Sequence, residues 1–183
     1  MKKYKIIALI GEAGTGKDTI LQKVLAAAPD RFNEIISCTT RPPREGEVDG
    51  VNYYFLEKDD FIQKVLLDQM LEHTVFNGWC YGTSNDTLSH DKLNIGVFNP
   101  AGIYSLLKRQ DIELTVYRIV CGSKTRLLRQ LNREEHPNVD EIIRRYGADS
   151  IDFNRLEFDY EELSNETYDD LNRAVMRLVG KLD

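Results

Sequence analysis

The sequence has little of what marks secreted, membrane-spanning or nucleic-acid-coating proteins. Its three cysteines, Cys38, Cys80 and Cys121, are odd in number and far apart, with no C-x-x-C pair and no histidine at metal spacing. That argues against a disulfide framework and against a zinc site. Hydrophobic runs are short: KIIALI ends at Gly11 and Glu12, well below the length of a spanning helix or a secretory core. Positive charge is in deficit, with 24 Lys and Arg against 30 Asp and Glu, a formal charge of −6. An unaided grip on a nucleic-acid polymer is therefore not expected. Internal repeats, low-complexity linkers and heptad runs are also missing. These absences predict a soluble, cytoplasmic protein with neither membrane nor nucleic-acid-polymer partners, and 183 residues at 42% hydrophobic suffice for one sizeable core.

What is present alternates between two periodicities. Lys5 to Ile10 is rich in β-branched residues and stops at a glycine turn, so it reads as a buried strand. Ile20, Leu21, Val24 and Leu25 then recur at helical spacing as far as Pro29. Glu34 to Cys38 is a candidate second strand. TTRPPREGEVDGVNYYF reads as loop and short strands, Asp59 to Leu71 as a helix capped by Asp59 or Asp60, and EHTVFNGWCYGTS as a small β segment closed by turns. From Leu93 the pattern is strand (NIGVF), helix (Gly102 to Arg109) and strand (ELTVYRIV). Helices at Lys124 to Asn132 and Asp140 to Asp149 then flank REEHPN. The last segment, Tyr168 to Leu182, places Leu171, Val175, Leu178 and Val179 on one helical face. This alternation predicts an α/β fold with a parallel core sheet and crossover helices, and a small β-rich lobe over about residues 34–90.

The stretch GEAGTGKDT, Gly11 to Thr19, sits between the first strand and the first helix and follows G-x-x-x-x-G-K-[ST] except that Asp18 replaces the hydroxyl. Gly11, Gly14 and Gly16 let the backbone curl so that the N–H groups along Glu12, Ala13, Thr15 and Lys17 turn inward. The following helix adds its positive N-terminal dipole, and Lys17 supplies an ammonium for terminal phosphates. A nucleoside triphosphate fits such a loop best. Asp18 is a hard oxygen ligand suited to Mg²⁺, directly or through water. Thr19 is rotated from it by roughly 100° and is left as a phosphate or structural hydroxyl.

Further along, Arg41 and Arg44 stand three apart between stiffening prolines. Two guanidinium groups at that spacing suit a phosphate monoester, and Tyr53 and Tyr81 offer hydroxyls to it. The plainer reading pairs these arginines with Glu45 and Glu47. The whole segment resembles the guanylate kinase family: Ser37, TTR ending at Arg41, Pro43, Arg44, Gly46, Glu47, Gly50, Tyr53, Phe55, Glu72 and YGT from Tyr81 to Thr83 occur in that family's order and spacing. The resemblance implies a P-loop three-layer fold with a monophosphate-binding lobe and a helical lid, the core being residues 1–33, 91–125 and 150–183, the lobe about 34–90 and the lid about 126–149. It implies phosphoryl transfer from ATP, with Mg²⁺, to GMP or dGMP, small-molecule nucleotides being the partners. Arg41, Arg44, Tyr53 and Tyr81 would hold the acceptor phosphate, and Ser37, Glu72 and Thr83 would read the guanine.

The departures are specific. Where the family has L-D-I-D-x-Q-G, this chain has VFNPAG, so Val97 and Asn99 take the places of carboxylates; Asn99 keeps a carbonyl for the base. His73 stands where the family commonly has Trp. Arg129, Arg133 and Arg144, with Arg145 as the adjacent alternative to the last, match the family's lid arginines, and the resemblance makes Arg129, Arg133 and Arg144 the expected catalytic cations beside Lys17. Asn165, in a segment resembling the family's Y-D-Y-x-I-x-N strand, is expected near the ATP adenine. Two alternatives differ in chemistry: a same-fold kinase for another nucleotide or a phosphorylated sugar, and a non-catalytic module that binds phosphopeptides. Ser37, Glu72 and Thr83 disfavour the sugar; Lys17 and the lid arginines disfavour the module.

Overall fold

The computed structural model describes residues 3–43, 46–76, 78–133 and 135–180. Its centre is β1 (Tyr4–Ile10), whose last five residues are buried. Alternate side chains of this strand feed two cores. Ile6, Ala8 and Ile10 pack with Ile103, Leu106 and Phe153, whereas Ile7 and Leu9 pack with Ile20, Leu21, Val24, Ala174 and Leu178. The first set meets α3 (Pro100–Leu107); the second meets α1 (Lys17–Ala27) and α6 (Tyr168–Gly180). A strand apolar on both faces thus yields three layers, as parallel sheets covered by crossover helices require.

β1 runs parallel to β7 (Leu93–Val97) on one side and to β8 (Ile112–Val120) on the other. β2 (Phe32–Glu34) extends the sheet beyond β7, and β9 (Glu161–Ser164) beyond β8, giving the order β2-β7-β1-β8-β9 with every pair parallel. The carboxyl ends of β1, β7 and β8 lead into Gly11, Phe98 and Cys121, the edge where ligands bind in such sheets. A second sheet holds β3 (Cys38–Thr39), β4 (Tyr54–Phe55), β5 (Met70–Phe76) and β6 (Trp79–Ser84) in the order β4-β3-β6-β5. α2 (Lys58–Leu66) covers it, with Phe61 packed on Cys38 and Met70. A short 3₁₀ turn, Asn85–Thr87, leads back towards β7. α4 (Ser123–Leu131) and α5 (Val139–Asp152) follow β8. Among the described residues no helix is long and apolar enough to cross a membrane.

Besides shifts of one to three residues, as in α3 and in α5, which runs on to Asp152, three boundaries depart from the sequence reading. The expected strand Glu34 to Cys38 is two: Glu34 ends β2 in the central sheet and Cys38 opens β3 in the small one, while Ile35 N–H still donates to Ile95 O at 2.8 Å. The helix expected to reach Leu71 stops at Leu66, because the chain turns through a left-handed Asp68 (φ 53°) and Leu71 enters β5. Asp59 and Asp60 lie inside the first turn of α2 rather than capping it; Glu57 holds the cap position without a side-chain bond. The acidic pair there favours the positive end of the helix dipole. Leu182, at the expected end of the last helix, lies outside the described residues.

Candidate active site

The phosphate loop is tied down from several sides. Gly16, the cap of α1, has φ 86°, and a Cβ there would meet Asn165 Nδ2 at 2.5 Å. That amide is buried and donates to Thr15 O at 2.7 Å. Thr15 is buried and its hydroxyl donates to Glu12 O at 2.8 Å, while the Glu12 carboxylate accepts from Arg118 Nη2 at 3.1 Å. Lys17 Nζ donates to Glu12 O at 3.2 Å. Burial pushes the Lys17 pKa down, opposed by the charges of Asp18, Asp149 and Glu12. Asn165 and Glu12 therefore hold the loop's shape, and Lys17 is a desolvated cation at its mouth.

The expected base readers come together. Register in the small sheet sets Glu72 directly opposite Thr83, and the Thr83 hydroxyl donates to Glu72 Oε1 at 2.8 Å. Ser37 Oγ lies 3.4 Å from Thr83 Oγ1. Burial raises the Glu72 pKa, and the Thr83 bond pulls against it. Asn99 is exposed and caps α3: its Oδ1 accepts from Gly102 N at 2.7 Å, with Pro100 at the first helical position. Asn99 Oδ1 and Glu72 Oε2 converge on Gly102, 3.2 and 3.3 Å from where a Cβ would stand. The carbonyl that the sequence offered to a base thus also serves as a helix cap. His73 is exposed.

Arg41 is buried, with both Glu47 oxygens 2.9 Å from Nη2 and Pro42 O accepting from Nη1 at 2.7 Å. Its guanidinium lies over the Tyr53 and Phe55 rings, at 5.7 and 5.8 Å from the centroids. Tyr53 meets Tyr81 edge-on at 6.1 Å. The Tyr53 pKa is raised by burial first, and then by Tyr81 and Asp18. Arg44 and Glu45 lie outside the described residues. The pairing of Arg41 with Glu47 is present, but it is buried rather than solvated.

Arg129, Arg133, Arg144 and Arg145, the arginines expected of a lid, are placed differently. Arg129 packs behind the loop, donating to Asn165 O at 2.8 Å and to Thr15 O at 3.4 Å. Arg144 and Arg145 both bond Glu141, whose carboxyl is lowered to about 2 by the Arg144 bond first and then by Arg145. Arg133 is exposed. Asp18 and Thr19 are exposed in the first turn of α1.

Two adjoining cavities collect these groups. One, of about 730 Å³, is lined by Gly11, Ala13 and Lys17 from the loop, Ser37, Glu72 and Tyr81 from the small-sheet side, Asn99, and Arg144 and Arg145. The other, of about 870 Å³, is lined by Asp18, Arg41, Glu47, Tyr53, Arg133 and the same Ser37, Tyr81, Arg144 and Arg145; Arg129 lines neither. Val97 lines both; Thr19 lines neither. Sequence reasoning missed Arg126 and Asp149, which form a buried ion pair at 2.8 Å against the loop. They lie 23 residues apart on different helices and carry no motif.

A glycine-curled loop at the carboxyl edge of a parallel sheet, facing a small mixed sheet across one cleft, defines a phosphate-loop α/β protein with a second, β-rich side to its site. The guanylate kinase family model matches residues 3–181. A guanylate kinase from Frankia casuarinae is 34% identical over 190 residues, covering 96% of this chain and 95% of that protein. One from Synechococcus sp. is 40% identical over 92 residues, 50% of this chain and 49% of the relative, so that match spans about half of its length. The crystal structure of a guanylate kinase from Anaplasma phagocytophilum superposes with a TM-score of 0.66 at 18% identity, over 100% of this chain and 86% of that one, a likeness of fold. The chain belongs to the guanylate kinase family.

Proposed function

We propose that the protein transfers the terminal phosphoryl group of ATP to GMP or dGMP in the cytoplasm. The observation that carries this reading is that Lys17 of the phosphate loop and the base-reading pair Ser37 and Glu72 line one cavity. A donor and an acceptor nucleotide then meet between them. Glu72 accepts from guanine N1–H and the N2 amino group, while a hydroxyl at Ser37 donates to O6; adenine has no donor at N1. A wrong base leaves the buried Glu72 with the Thr83 hydroxyl but without the base's own donors, which is a basis for discrimination. Arg41, Tyr53 and Tyr81, with Arg44, hold the acceptor phosphate.

Phosphoryl transfer asks little covalent chemistry of the protein, so positioning and positive charge supply the acceleration. Lys17 meets the terminal phosphates, and Arg144 and Arg145 exchange Glu141 for the migrating group as the lid, residues 126–149, and the lobe, residues 34–90, close over the cleft. Among the described residues no three His, Cys, Asp or Glu side chains group as a metal cage. Mg²⁺ commonly takes one or two carboxylates together with substrate phosphates, so Asp18 alone at the loop fits that ion. When bound, Mg²⁺ neutralises charge on the triphosphate.

A coupled ADP-release assay over a panel of nucleoside monophosphates, with ATP and Mg²⁺, tests the assignment. GMP and dGMP are expected to turn over at least about a hundredfold more efficiently than AMP, CMP or UMP. Turnover of another monophosphate in their place would sink it.

A further inference from the structure

Ala13 is held at both ends of its residue by one ion pair. Its N–H donates to Asp149 Oδ2 at 2.8 Å, and its carbonyl accepts from Arg126 Nε at 3.0 Å. Arg126 Nη2 donates to the same Asp149 oxygen at 2.8 Å, and Nη1 stands 3.8 Å from Glu12 Oε1. The Tyr146 ring covers the guanidinium at 4.5 Å from the centroid. Loop, α4 and α5 thus meet on one carboxylate, with the two side chains only 10% and 17% exposed.

The N–H groups of such a loop are its offer to a phosphate oxygen. A carboxylate oxygen is the side-chain group most like that ligand: anionic, and strengthened by the same donors. Asp149 is also near enough to Lys17 to feel its charge, although burial raises the carboxyl's pKa before Ala13, Arg126 and Lys17 oppose it. Meanwhile Lys17 bonds Glu12 O, and Arg144 and Arg145 bond Glu141. Donors suited to phosphate are engaged by the protein itself, and Asp149 lines the same cavity as Lys17.

We infer that Asp149 is a latch: its carboxylate holds the Ala13 N–H of the phosphate loop and must let go before a triphosphate seats. The inference rests on the reading of this loop as the ATP site. Arg145 and Asp149 are four apart on α5, hence on one helix face. Expelling the carboxylate therefore shifts the helix that carries the lid arginines, and nucleotide entry and lid movement become one event.

The test compares wild type with Asp149→Ala and Asp149→Asn, the second keeping an acceptor without the charge. ATP and tripolyphosphate affinities are measured by calorimetric titration, and amide hydrogen exchange across residues 139–152 is followed in the free proteins. The alanine variant should bind both ligands about tenfold more tightly, because the competent state no longer has to be released first. Exchange in α5 should speed up, with asparagine intermediate. If Asp149 merely braces the loop, its removal weakens binding; unchanged or weaker binding in both variants overturns the latch. Should the alanine variant not fold, the asparagine variant carries the same comparison. Failure of all three proteins to bind ATP would instead remove the kinase reading, and the latch would then stand or fall on tripolyphosphate affinity and the exchange rates.

Discussion

Glu47 holds Arg41 with both carboxylate oxygens, each 2.9 Å from Nη2. A phosphate monoester presents the same acceptor geometry with more charge, so under the proposed function it would exchange with Glu47 at Arg41. Replacing Arg41 by alanine is expected to raise the KM for GMP about 10- to 100-fold, the worth of a hydrogen bond to a charged group, with the KM for ATP changed less than about twofold. Lysine should rescue little, since it lacks the fork. Steady-state kinetics with each substrate varied in turn decides this; an equal rise in both KM values would place Arg41 outside the acceptor site.

Glu72, the proposed base reader, also bears on stability. Burial raises its pKa, so the folded protein binds that proton more tightly than the unfolded chain does. The ionised carboxylate therefore costs stability at neutral pH, and the cost fades as pH falls through the folded-state pKa towards the ordinary 4.5. Glu72→Gln should melt higher than wild type at pH 7, with the gap closing near pH 4.5, while kcat/KM for GMP drops about a hundredfold. Thermal melts at the two pH values, with kinetics beside them, read both halves.

Replacing Arg144 and Arg145 together by alanine should lower kcat at least about a hundredfold while leaving both KM values within about threefold, the signature of charge supplied only at the transition state. The midpoint of thermal unfolding should barely move, because half-exposed ion pairs such as theirs with Glu141 add little. The Glu141 carboxyl, lowered to about 2, contributes its small share above its ordinary 4.5 and loses it as pH falls towards 2. A variant that loses substrate affinity rather than turnover would reassign these arginines to binding.

Asp18 and Thr19 are both exposed, but only Asp18 lines the cleft. Asp18→Ala should raise the Mg²⁺ concentration needed for half-maximal turnover about tenfold, and Thr19→Ala should leave it unchanged. Titrating Mg²⁺ at saturating ATP and GMP makes the comparison; equal, negligible effects would remove Asp18 from the metal site.

The strand, loop and helix from Tyr4 to Ala27 were legible because their signals are local: two glycines and a lysine at fixed spacing between a β-branched run and a 3.6-residue period. Ser37, Glu72 and Thr83 were singled out only by the family's pattern, and β-pairing brings Glu72 and Thr83 into a contact that a linear string conceals. The end of α2 was misjudged because Leu71 keeps helical phase with Leu67, while the left-handed turn at Asp68 carries no Gly or Asn to announce it. Asn99 before Pro100 is a helix-start signal that was open to reading as a cap. Arg126 and Asp149 were invisible for a different reason: each looks like an ordinary helical charge until tertiary packing brings both to Ala13.

The strand order also sets a timetable for synthesis. β1 is the middle strand of its sheet, yet its partners are Leu93–Val97 and Ile112–Val120. At ordinary translation rates, Ile6 to Ile10 wait roughly 4–17 s for the first of them, longer than most elementary folding events take. Until then this apolar segment lacks both its strand partners, the exposure that makes incomplete chains prone to aggregate, and synonymous codons between β1 and β7 become a lever on yield.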